Sequence, residues 1–281
     1  MTTSARQGMA PEEPGAPPEG TVEAWAWAYL RSTDLAYKLA PPAPPSRWEE
    51  SPPPRRLAAP GRPPELVAST RKMKTPGPVA LRAPTRRGQL VHTFLHHELQ
   101  AAELMAWALL AFVDTPPEFR AGLLRVMRDE VRHMGLYGQH LAALGVAFGA
   151  HPVRDWFWER VPLCANPAQF VATIGIGLEG ANLDHAARFA ERFLAVEDAL
   201  GAEVQEQIAR EEIPHVQFAL RWFRHWTGRD DFTTWAAHLP PPLSPTLMRG
   251  ATVQRDLRAR AGMSEAFLDE LEAWQGAPAG S

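Results

Sequence analysis

Asp129-Glu130-Val131-Arg132-His133 decides the reading of this chain, together with its echo Glu211-Glu212-Ile213-Pro214-His215. Each stretch contains Glu-x-x-His, and residues three apart on an α-helix share a face, so a carboxylate and an imidazole project the same way. One such pair is half of a metal site. A dinuclear carboxylate centre in a helical bundle takes two of these pairs plus one glutamate from each of two further helices. Glu98, within His96-His97-Glu98-Leu99-Gln100-Ala101-Ala102-Glu103, lies 32 residues before Glu130. Glu179, within Leu178-Glu179-Gly180-Ala181-Asn182-Leu183-Asp184, lies 33 before Glu212. At about 1.5 Å per residue, that separation carries the chain half a helix up, round a short turn and back to the same height. The two halves thus form an internal two-helix repeat, offset by 81 residues from Glu98 to Glu179 and by 82 from Glu130 to Glu212.

Working outward, the pattern predicts an all-α fold with four long helices. They run from about Arg87 to Val113, Pro116 to Leu144, Asn166-Pro167 to Val196 and Glu197 to Trp226, closed by Gly145 and Gly228 where glycine ends a helix and opened by prolines at first helical positions. The bundle so defined covers residues 87–228, with an aromatic-rich crossover, Val146 to Ala165, between its halves. Before it, residues 1–20 are rich in Pro, Glu and Gly and are expected to be a disordered tail. Residues 21–86 hold one short helix, Thr21 to Ala40 by its apolar spacing, and then a proline-rich extended wrap. After it, residues 229–281 read as short helices broken by Pro240-Pro241-Pro242 and Pro245.

Composition narrows the function classes. The chain has 281 residues, 45% hydrophobic, and a net charge of −3, which argues against a protein that coats nucleic acid. Residues 51–90 carry nine Lys or Arg against Glu65 alone. These either bind phosphates or pair with the acidic remainder of the chain, and with no aromatic side chains interleaved to stack on bases the second reading is preferred. Cys164 is the only cysteine, so no internal disulfide or Cys-x-x-Cys metal centre can form, and electrons must come from an external reductant. The first twenty residues lack the apolar core of a signal peptide and the longest apolar run, Leu104 to Val113, is too short to span a bilayer, so a cytoplasmic protein with no membrane partner is expected.

Glu130, His133, Glu212 and His215 sit among apolar neighbours, where buried carboxylates require a cation or another strong partner. Glu98 and Glu103 compete for one role: five residues apart, they differ by about 140° round the helix axis. The spacing match selects Glu98. Asp129 and Glu211, each just before a Glu of the pairs, are expected to accept from the histidines and orient them across the site. Tyr137 falls on the face of Glu130 and is expected to border a pocket with Ala101, Met105, Met134 and Gly175. His96, His97, Asn182, Asp184 and His185 flank the cluster as extra ligands or hydrogen-bonding groups. Gly175, Gly177 and Gly180 imply close helix packing or room for substrate, and Pro214 should kink or widen its helix.

With these residues laid out, the chain resembles the ferritin-like superfamily, and within it a bacterial branch catalogued as domain-of-unknown-function family 455. The resemblance runs from about Pro60 to Trp226 and rests on HHELQAAEL at 96–104, RDEVRH at 128–133, LEGANLD at 178–184 and EEIPHV at 211–216. It implies a ferritin-like four-helix bundle whose metal ligands are Glu98, Glu130, His133, Glu179, Glu212 and His215, with Glu130 and Glu212 bridging. The branch is also similar to bacterial tRNA-modifying di-iron hydroxylases. That likeness transfers no substrate; carboxylate-rich ligation with two imidazoles suits Fe or Mn, and the function expected is oxidation of an unidentified substrate, a small molecule or RNA, by dioxygen or peroxide at two Fe ions, with Mn as the alternative metal and oligomerisation left open. Ferroxidase-like iron handling and a metal-free structural scaffold are the competing readings.

Overall fold

The computed structural model describes residues 15–70 and 76–275, and among them the regular structure is all helical, apart from one isolated bridge pairing Ala68 with Val153. Residues 1–14 of the expected tail, and Arg71, Lys72 and Lys74 of the basic segment, lie outside the described residues. Residues 15–20 are held by the fold: the Gly15 carbonyl accepts from Arg55 Nε at 2.8 Å and the Glu19 carbonyl from Arg47.

Where one helix is predicted over Thr21 to Ala40, there are two. α1 (Val22–Arg31) is capped at its start by the Thr21 hydroxyl, which accepts from Ala24 N, and closes at Ser32. Asp34 then accepts from the amides of Ala36 and Tyr37 and starts α2 (Leu35–Leu39). A side-chain cap of this kind satisfies amides that have no partner in the helix, so it fixes a boundary that apolar spacing alone does not mark.

The four long helical segments follow. α3 (Pro84–Ala111) packs along α4 (Pro117–Ala143), each opened by a proline that needs no N–H partner there. The third path is interrupted: α5 (Pro167–Val171) passes into a π-helical stretch, Ala172–Glu179, and then into α6 (Gly180–Leu194). α7 (Ala199–Thr227) packs along α6 and meets α4, and ends at Gly228, whose φ of 72° is the left-handed conformation glycine adopts freely. Pro214 is expected to distort α7, yet the helix continues through it. The wide turn lies instead across from it, where a Cβ on Gly175 would stand 2.2 Å from the Ala219 Cβ. Gly177 and Gly180 likewise face Met248 and Arg258 closely, so the three glycines serve packing rather than substrate room.

The proline-rich segment crosses α3, with Arg55 N donating to Leu110 O and Trp107 Nε1 donating to Leu57 O. Three of its cations pair with carboxylates, Arg55 with Glu49, Arg62 with Glu103 and Asp155, and Arg87, at the start of α3, with Asp198, while Arg56 donates to the Cys164 and Ala165 carbonyls. Glu103, the competitor of Glu98, is fully buried and bonded by Lys38 at 2.7 Å, Arg62 at 2.6 Å and Trp158 at 2.8 Å, so it ties the wrap to α3. α9 (Arg255–Arg260) packs on α6 and α7, while α8 (Phe232–Ala237) and α10 (Glu265–Ala273) pack on each other and α10 on α9; a buried ion pair of Arg258 with Asp184 at 2.8 Å anchors α9 to α6. Asp184 is thereby spent on this anchor and on the amides of Gly250 and Gln254, and is no extra ligand.

Candidate metal centre

Glu98 and Glu130 stand near the middle of α3 and α4, Glu179 closes the π-helical stretch, and Glu212 is central in α7, so the four carboxylates meet at one height. All four, with His133 and His215, are buried. Ligating atoms of Glu98, Glu130, His133 and Glu212 lie within 4.8 Å of one another, as do those of Glu130, Glu179, Glu212 and His215. Each group is able to hold a metal ion, and Glu130 and Glu212 belong to both. His133 Nδ1 lies 3.5 Å from Glu98, 3.5 Å from Glu130 and 3.7 Å from Glu212, while His215 Nδ1 lies 3.1 Å from Glu130 and 2.9 Å from Glu212.

The outer nitrogens are held from the opposite helix. His133 Nε2 on α4 lies 2.9 Å from Glu211 of α7, and His215 Nε2 on α7 lies 3.2 Å from Asp129 of α4. Arg132 bonds both acceptors and links them across the surface. Asn182 Nδ2 donates to Glu212 Oε1 at 3.1 Å, which fixes a carboxylate that the spacing rule could locate but not orient.

Electrostatics follow from packing six ionisable groups in a dry space. Burial pushes the Glu98 and Glu179 carboxyls well above the usual carboxylate range, and neighbouring carboxylates add to it. Burial acts on Glu130 the same way, but His133 and His215 outweigh it and hold its carboxyl well below that range. Both imidazoles are raised well above the usual histidine value against the opposing effect of burial, His133 by Glu130, Glu211 and Glu98, His215 by Glu212, Asp129 and Glu130. Even so, both oxygens of Glu130 and Nδ1 of His133 are buried without a hydrogen-bond partner. The Glu130 oxygens are acceptors that a bound cation would satisfy, and His133 Nδ1 would join them on giving up its proton.

A cavity of ≈370 Å³ adjoins Glu98 and Glu179. Tyr137 and Ala101 line it, as expected, whereas Met105 and Gly175 line a pocket of ≈10 Å³ on the other side of Glu179, and Met134 is buried away from both. Tyr137 OH accepts from Gln205 at 3.0 Å, and burial raises its pKa well above the ordinary tyrosine value. Of the flanking residues, His96 bonds Gln100, His185 bonds Arg188, and His97 stacks on Phe157. The crossover supplies much of the wall, including Arg154, Trp156 and Phe157. Their aromatic content stood out in the sequence; their placement over the site depends on long-range bonds that no local pattern carries.

Residues 20–269 match the family described as "Protein of unknown function (DUF455)". The chain belongs to this family. The DUF455 match contains all six clustered residues and the crossover. An "Uncharacterized protein" of Haemophilus influenzae (strain ATCC 51907 / DSM 11121 / KW20 / Rd) is 26% identical over 189 residues, 64% of this chain, and the chain spans 65% of that relative's length. No solved structure matches the chain. Among the described residues no helix is long and apolar enough to cross a membrane.

Proposed function

We propose that this DUF455 chain is a ferritin-like four-helix bundle that binds two iron ions and uses dioxygen or peroxide to oxidise a substrate in the adjoining cavity. The observation that carries the reading is the overlap of two four-residue ligand groups at Glu130 and Glu212, with both Glu130 oxygens buried and without a hydrogen-bond partner. In this reading Glu98, Glu130, His133 and Glu212 would hold one ion and Glu130, Glu179, Glu212 and His215 the other. Four carboxylates and two imidazoles suit iron or manganese, hard to borderline ions, better than softer metals.

Bound iron would supply the electron-transfer chemistry, which no side chain in the cluster can provide. The chain's own part is positioning. Glu211 and Asp129 accept at the Nε2 atoms and would keep the proton there once a metal displaces the proton of Nδ1, so each Nδ1 lone pair would face the centre. Glu130 and Glu212 are fully buried, while Glu98 and Glu179 border the aromatic-walled cavity with Tyr137. The cavity, large enough for an organic molecule and open onto Glu98 and Glu179, favours substrate oxidation over iron handling alone.

The test is metal content after anaerobic purification, wild type beside Glu130→Ala and His215→Ala. About two Fe or Mn per chain in the wild type, lost in both variants, is the expected result. A wild type that carries no metal and takes up neither Fe(II) nor Mn(II) on titration overturns the reading.

A further inference from the structure

One histidine of the larger cavity has no partner in the fold. Of the four that line it, His92 accepts from Gly149 N, His96 bonds Gln100 and His185 bonds Arg188. His97 makes no hydrogen bond to any described residue; its ring stacks on Phe157 with centroids 5.0 Å apart. The residue is half-buried, and its ring nitrogens are not sealed inside the protein as His92 Nδ1 and His96 Nε2 are. A neutral imidazole offers one donor and one acceptor. His97 therefore presents a hydrogen-bonding group at the cavity that a ligand can take up.

The wall around it is aromatic. Phe94 of α3 meets Tyr137 of α4 with ring centroids 5.7 Å apart, and Trp156 meets Phe157 in the crossover at the same 5.7 Å. All four line the cavity, and Ile174 and Leu178 of the π-helical stretch extend its apolar surface. The crossover part is set in advance: Gln100 accepts from Phe157 N at 3.0 Å and donates to Arg154 O at 3.3 Å, and Arg62 grips Asp155 through two nitrogens. Aromatic faces already fixed in place accept a ring at little cost in ordering.

No charge in this wall is left for a ligand. Its charged side chains are Glu98 and Glu179, which belong to the candidate metal centre, and Arg154, paired with Glu159 at 3.1 Å. Burial holds the rings of His92 and His185 neutral, bringing the pKa of each down to about 4. A charged ligand would set its charge among apolar side chains without a counter-ion, which is costly.

We propose that the cavity binds an uncharged aromatic molecule carrying a hydroxyl or a similar small hydrogen-bonding group, its ring against Phe94, Trp156 and Phe157 and that group bonded to His97. The volume of ≈370 Å³ suits a small ring system. Naming this molecule as the one oxidised rests on the function proposed above; its binding does not.

The experiment is calorimetric titration of the full-length protein with 2-naphthol, naphthalene, 2-naphthoate and the saturated decahydro-2-naphthol, with metal content measured on the same samples. 2-Naphthol, uncharged near neutral pH, should bind at least about tenfold more tightly than 2-naphthoate and at least about threefold more tightly than the saturated alcohol. His97→Phe, which keeps an aromatic ring beside Phe157, should lower 2-naphthol affinity about 3- to 10-fold without weakening naphthalene. Failure of 2-naphthol to bind, equal or tighter binding of the carboxylate or the saturated alcohol, or unchanged 2-naphthol affinity in His97→Phe overturns the proposal. Should His97→Phe not fold, the ranking of the ligands on the wild type decides alone. Bound metal without 2-naphthol binding removes the ligand assignment and leaves the metal reading intact; 2-naphthol binding in a protein that never takes up metal does the reverse.

Discussion

Glu211 on α7 holds His133 on α4, its Oε2 lying 2.9 Å from the imidazole Nε2, and Asp129 on α4 returns the contact to His215 on α7. Each helix therefore aims the other's histidine. Glu211→Gln can donate but no longer offers an anion to that N–H, so Mn(II) affinity should fall by roughly 10- to 100-fold with the fold retained. Titration calorimetry beside a melting curve checks this; unchanged affinity would show that the contact is a surface ion pair.

Metal uptake should weaken as pH falls. His133 and His215 hold their protons above the ordinary histidine value, as Glu98 and Glu179 do above the ordinary carboxylate value, and a metal must displace all of these. Groups with raised pKa values are protonated below them, so competition grows towards acid and fades as pH rises. Calorimetry of Mn(II) binding in buffers of different ionisation enthalpy should register proton release, and more of it at pH 6 than at pH 8.

Glu98 and Glu103, five residues apart on α3, should separate cleanly by phenotype. Glu103→Gln breaks a buried network with Lys38 and Arg62 and should cost about 3–5 kcal/mol of stability while metal stoichiometry is kept. Glu98→Gln should lower the metal content instead. Chemical denaturation and metal analysis of both variants give the answer.

The same network sets the acid limb of stability. Burial raises the Glu103 carboxyl, but Arg62 and Lys38 outweigh it and hold it below the usual range. A depressed carboxylate contributes stability that is complete above its unfolded value of about 4.3 and disappears as pH falls through the lower folded value. Unfolding midpoints should drop below about pH 4 in the wild type, and that drop should be shallower in Glu103→Gln.

Gly175→Ala should reach the centre from outside it. The added methyl meets the Ala219 Cβ at 2.2 Å, which forces the π-helical stretch away from α7 and draws Glu179 with it. About 1–3 kcal/mol of destabilisation accompanied by partial metal loss is expected. Destabilisation with full metal occupancy would show that the stretch yields without moving Glu179.

The convergence of the six clustered residues was legible in the sequence because helical periodicity and hairpin length are local arithmetic: 32 and 33 residues return the chain to the same height. The π-helical stretch was not, since Ile174, Gly175, Ile176 and Gly177 read equally as a weak helix, and only the approach of Ala219 selects the wider turn. Met134 fell on the expected face yet packs into the core, because an apolar stripe does not distinguish a wall from filling. The cavity's polar wall depends on Arg62 reaching Asp155, and Asp184 on Arg258, pairings between distant segments that leave no periodic trace.

Arg62 and Asp155 are separated by 93 residues. At about 5–20 residues per second of synthesis, the guanidinium leaves the ribosome roughly 5–20 s before its partner exists. The segment that braces the cavity is thus made early and secured late. Lys38 and Arg62 are made before Glu103, whereas Trp158 follows it by 55 residues, so the Glu103 network is completed only once the crossover has emerged.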